Sequence, residues 1–80
     1  MNQSELTRIR DLGLAAALVS RHFDVVETQR DATGRAYFMF DSSTELELAI
    51  SGYRADTLQV KARSYSDATK MLKSIIYGER

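Results

Sequence analysis

The strongest pattern in the chain is a run of apolar residues at helical spacing behind Asp11. Leu12, Ala15, Ala16, Val19 and Phe23 form one stripe, and Leu14 and Leu18 lie beside it. Asp is a favoured N-cap because its carboxylate accepts hydrogen bonds from the free amides of the first turn. A helix apolar almost all round is expected in the middle of a fold, covered on more than one side. Gly13 in its first turn costs up to ~1 kcal/mol against Ala, which is recovered if a neighbour approaches closely there. From Phe23 to Arg30 the period changes to two, and β-branched Val25, Val26 and Thr28 favour a strand. Asp31, Ala32, Thr33 and Gly34 read as a short loop, and Arg35 to Phe40 as the return strand of a hairpin. Ala36, Phe38 and Phe40 share one face of that strand. Tyr37 and Met39 share the other, so both faces are apolar.

Ser42 and Glu45 have capping-box spacing and announce a second helix with Leu46, Ala49, Ile50 and Tyr53 on its stripe. Gly52 is the expected stop, with Tyr53 folding back on Leu48. Leu58, Val60 and Ala62 alternate with Gln59, Lys61 and Arg63, which predicts a short third strand with a basic outward face. Ser64 with Asp67 repeats the capping signal, and Tyr65, Ala68, Leu72, Ile75 and Ile76 predict a last helix ending near Gly78. Met1 to Arg10 carries no strong pattern and reads as a flexible arm. The expected fold class is α+β in one domain, residues 1–80. A small antiparallel sheet of two or three strands is packed by helices, in the order α-β-β-α-β-α.

Composition narrows the chemistry. With 80 residues the function must sit on one surface or one small pocket. Cysteine is absent and His22 is the single histidine, which removes thiolate chemistry and the usual Cys/His zinc site. The first residues lack the cationic and apolar runs of a secretory signal, and the longest apolar stretch, Leu12 to Val19, is too short to span a bilayer. The expected location is the cytoplasm, with no membrane association. Eleven Lys and Arg balance eleven Asp and Glu, so the formal net charge is zero. Duplex-binding domains usually carry a basic excess, because their affinity comes largely from neutralising phosphates.

No candidate constellation assembles a reaction. His22 is suited to general acid or base work by its ordinary titration range, but a histidine at a helix C-terminus also interacts well with the last carbonyls. Ser20, Asp11 and Asp24 near it supply no recognisable set of nucleophile, base and orienter. Asp41, Ser42, Ser43 and Glu45 offer oxygen ligands without calcium-loop spacing, and helix capping accounts for Ser42 and Glu45. The expectation is therefore a protein that is not an enzyme, with no cofactor and no metal.

Arg10, Asp11 and Leu12 opening an Ala-rich helix that ends at Phe23, the aromatic strand Tyr37 to Phe40, Val60 to Tyr65 and Leu72 to Tyr77 together resemble a family of small uncharacterised bacterial and phage proteins, a domain of unknown function. His22 stands where that family usually has a glycine before the phenylalanine. The resemblance implies a compact α+β fold and a mobile-element or phage setting, and it brings no functional residues. The expected function is a small interaction module that binds another protein or itself as a homodimer, with Tyr37 and Met39 as the candidate interface. The alternative is a nucleic-acid-binding accessory protein that uses Arg54, Lys61, Arg63, Lys70 and Lys73.

Overall fold

The structure, a computed structural model, describes residues 5–78. Six elements follow one another: β1 (Leu6–Ile9), α1 (Leu12–Ser20), β2 (Val25–Arg30), β3 (Ala36–Asp41), α2 (Thr44–Arg54) and α3 (Ala62–Tyr77). The fold is α+β, and the order is β-α-β-β-α-α in place of the expected α-β-β-α-β-α. Two corrections account for the difference. Glu5 to Arg10 is not part of an arm, because it contains β1; the rest of the expected arm, residues 1–4, lies outside the described residues. The expected strand at Leu58 to Ala62 is an unpaired extended segment that runs into α3, and its backbone is held by the Arg21 guanidinium, which donates to the Gln59 carbonyl at 2.9 Å.

The sheet has the order β1-β3-β2 and is antiparallel throughout. Its register sets the two faces. Thr7 lies opposite Phe40 and Ile9 opposite Phe38, and Val25 and Thr28 meet the same two phenylalanines from the other side. A bulge at Val26 puts Glu27 beside Met39 and keeps Val25 and Thr28 on the face of Phe38 and Phe40. That face carries the core. Phe38, Phe40 and Ile9 join Leu14, Leu18, Leu46, Ile50 and Leu72 in one buried cluster, so all three helices pack on the same side of the sheet. The Cα extents are 37 × 35 × 20 Å, the thickness of two layers.

Helix α1 explains its own composition. Leu14 through Leu18 are five consecutive buried residues, because β1, α2 and α3 all contact the helix. Asp11 caps it, its Oδ1 accepting from the Gly13 amide at 2.9 Å and the Leu14 amide at 3.2 Å. Helix α2 is capped by Ser43, whose Oγ accepts from the Leu46 amide, while the neighbouring Ser42 hydroxyl is paired with Thr7 of β1. The capping serine is thus one residue later than the spacing with Glu45 suggests. Gly52 does not end α2. The helix continues to Arg54 and closes at Asp56, which takes φ 63 while the Thr57 amide reaches back to the Gly52 carbonyl. Gly52 instead admits Leu58, which packs against the core where Leu48, far out in solvent, does not. Helix α3 starts at Ala62 with Lys61 as N-cap and no side-chain cap, so Ser64 belongs to its first turn and not to a capping box.

Candidate functional site

Tyr37 and Met39 occupy the sheet face away from the helices, and neither belongs to the helix-covered cluster. Met39 is nevertheless only 7% exposed. Its cross-strand partners are Arg8 of β1 and Glu27 of β2, two long side chains on the same face of the sheet. The Arg8 guanidinium lies 4.5 Å from the centre of the Tyr37 ring, and the Tyr37 hydroxyl donates to Asp31 Oδ2 at 3.0 Å. The expected exposed apolar pair is therefore corrected: Tyr37 is half-buried and Met39 is buried, both roofed by long polar side chains.

Asp31 organises the hairpin loop. Its Oδ1 accepts from the Thr33 hydroxyl, the Thr33 amide and the Arg35 amide. These bonds, the Thr33 hydroxyl foremost, hold the carboxyl well below the usual carboxylate range against a smaller opposing effect of desolvation. Oδ1 is engaged within the loop and Oδ2 by Tyr37 of β3, which is a structural role.

The exposed apolar surface lies elsewhere. On α3 the residues Leu72, Tyr65, Ala68 and Ile76 face the core, and Met71 and Ile75 form a second stripe on the flank nearest β2. Ile75, read from the sequence as core, is 38% exposed, and Met71 is 43% exposed. With Val19 and Phe23 at the end of α1 and Val25 on β2 they line an open groove of about 390 Å³. Asp24, Glu27 and Thr28 complete its lining, and β2 is an edge strand. A signal for the groove was there: Met71 and Ile75, spaced four apart, form an apolar stripe offset by about 100° from Leu72 and Ile76, so α3 carries more apolar width than one core-facing stripe needs.

At its other end the groove passes His22, Ser64 and Asp67 and opens into a polar cavity of about 500 Å³ lined by Arg21, His22 and Lys61 with Ser20 and Ser64. His22 takes φ 76 there, at the end of α1, where its amide and that of Phe23 reach back to the Val19 and Leu18 carbonyls. This left-handed helix exit is the geometry that glycine adopts most readily. The Ser20 hydroxyl donates to the Ala17 carbonyl and Asp11 is spent on capping, so neither is set against His22 as nucleophile or orienter. Asp24 lines the apolar groove instead.

The predicted basic residues divide into three groups. Arg63, Lys70 and Lys73 share the outer face of α3, Lys61 joins Arg21 and His22 at the cavity, and Arg54 stands apart in the last turn of α2. Gly13 has the close neighbour its position implies: a Cβ there would come within 2.7 Å of the Tyr53 hydroxyl. Burial pushes that phenol up, reinforced by the nearby Asp11 carboxylate and Tyr65, so Tyr53 keeps its proton and acts as a packing residue. Among the described residues no group of three or more His, Cys, Asp or Glu side chains could hold a metal ion, and no helix is long and apolar enough to cross a membrane.

Fold and groove define a small α+β protein with three helices on one face of a three-stranded antiparallel sheet, an apolar groove edged by Asp24 and Glu27 along its last helix, and a cationic cavity at the start of that helix. The chain belongs to the family described as a domain of unknown function, DUF5659, which matches residues 4–78. No curated protein and no solved structure matches it significantly.

Proposed function

We propose that this protein is a non-enzymatic interaction module that associates with a second copy of itself through the groove between α3, the end of α1 and β2. The observation that carries the reading is the exposure of Met71 and Ile75 beside the open edge of β2. An edge strand offers unpaired backbone groups, and adjoining apolar side chains give a second strand something to bury. A two-fold arrangement presents the same groove from both copies and closes the assembly. The mobile-element or phage setting and the cytoplasmic location belong to this proposal. Sedimentation equilibrium over a wide concentration range tests it. The expected result is a monomer–dimer equilibrium that a Met71→Lys/Ile75→Lys double variant abolishes while its far-ultraviolet dichroism stays unchanged. A wild-type chain that stays monomeric at the highest concentrations would overturn the reading.

Nucleic-acid binding has one observation in its favour. Arg63, Lys70 and Lys73 line one exposed face of α3, spanning about 15 Å at 1.5 Å per residue. A solvated helix face accounts for the same three residues, and the basic strand face expected beside it is absent.

A further inference from the structure

We infer that the cavity where the end of α1 meets the start of α3 is a binding site for a phosphate ester. Three cationic or N–H-bearing side chains, Arg21, His22 and Lys61, line it together with the Ser64 hydroxyl, and no Asp or Glu does; Ser20, also in the lining, donates its own hydroxyl to the Ala17 carbonyl. Its volume of about 500 Å³ lies in the range of small-ligand pockets, so it holds a phosphate and part of the group that bears it. Arg21 is already oriented: one guanidinium nitrogen donates to the Gln59 carbonyl at 2.9 Å, which fixes the planar fork and leaves other N–H groups free. The ring of His22 adds a donor.

A tetrahedral phosphate has more acceptor oxygens than a carboxylate to meet this set of donors. The source favoured by the surroundings is a phosphorylated side chain of a protein segment. The cavity continues past Met71 into the apolar groove, where a bare nucleic-acid backbone has nothing to bury. That source rests on the interaction reading above, whereas the phosphate site itself does not.

Titration of the ¹⁵N-labelled full chain with inorganic phosphate and with O-phosphoserine, at ionic strength held constant by sodium chloride, separates the two. Saturable amide shifts are expected at Ser20 to His22 and Gln59 to Ser64, with a Kd on the order of 1 mM for so small a ligand. Lys61→Gln, at an exposed position outside the core, is expected to weaken phosphate binding about tenfold. His22→Gly should weaken it too while raising the urea midpoint, which a merely structural histidine would not combine. Shifts that never saturate, or that leave Lys61→Gln unaffected, would overturn the site. So would an oligothymidylate that shifts Arg63, Lys70 and Lys73 while neither phosphate nor phosphoserine moves Ser20 to His22. The same titration on Met71→Lys/Ile75→Lys keeps the outcomes distinct: unchanged phosphate binding in a variant that no longer self-associates upholds both readings, and unchanged binding in a wild type that never associates upholds the phosphate site alone.

Discussion

Asp31 is the residue whose local bonds make the clearest pH-dependent contribution. In the folded chain its carboxylate accepts from the Thr33 hydroxyl and amide, the Arg35 amide and the Tyr37 hydroxyl, and these hold its pKa below the unfolded value of 3.8. A group whose folded pKa is depressed stabilises the fold above its unfolded pKa, and that contribution is lost as pH falls toward the folded pKa. Wild type is therefore expected to be more stable than Asp31→Asn near neutral pH, with the gap closing as pH drops below roughly 4. Urea midpoints of the two proteins across that range check it, and a gap constant with pH would show that the loop does not depend on the ionised form. The loop was legible in the sequence as a turn, but the bond to Tyr37 was not, because it runs between a loop residue and a strand residue of the wrong face for the core. The same bond, with the Arg8 guanidinium, is why the pair Tyr37 and Met39 looked like an interface and is instead covered.

At the scale of elements, local signals marked helices well and mispaired one segment. Leu58 to Ala62 alternates as a strand does, yet the sheet takes its third strand from Leu6–Ile9, where Leu-Thr-Arg-Ile does not alternate cleanly because Thr7 occupies a core-facing position opposite Phe40. Alternation reports an extended backbone with one side covered, and Leu58 achieves that cover by packing beside Gly52 without any partner strand. Capping was misread by one residue at α2 and by three at α3: two serines stand in succession before α2 and the backbone entry angle decides which one caps, whereas α3 starts earlier, behind Lys61, and takes Ser64 into its first turn. Ser43 has extended φ −159 and its Oγ is 3.0 Å from the Leu46 amide. Ser43→Ala is thus expected to cost about 0.5–2 kcal/mol, and Ser64→Ala much less, since Ser64 bonds no helix-terminal amide. Chemical denaturation of the two variants measures the difference. Equal losses would mean that α3 has a cap like that of α2.

For the molecule as a whole, a two-layer protein 20 Å thick has one buried interface and little in reserve. A chain of this length carries a total stability of roughly 4–12 kcal/mol. Phe38 is fully buried at the centre of the middle strand, between Ile9 of β1 and Thr28 of β2, and its ring meets the helices through the single core cluster. Truncating such a phenylalanine costs about 3–5 kcal/mol, through lost transfer energy and the cavity left behind, which is a large share of that total. Phe38→Ala is accordingly expected to unfold the protein or bring it to the edge of unfolding at room temperature. Ile75 appeared in the sequence as part of the same core stripe, but it stands at the rim of the groove with over a third of its surface exposed, so Ile75→Ala is expected to cost under about 1 kcal/mol. The contrast is the point of the measurement, because the two residues were indistinguishable as apolar letters and differ only in which layer they reach. Urea unfolding followed by far-ultraviolet dichroism decides it: a Phe38→Ala midpoint near wild type, or an Ile75→Ala loss as large as that of Phe38→Ala, would mean that α3 packs with its Met71 and Ile75 flank inward and that the groove proposed as the contact surface is part of the core.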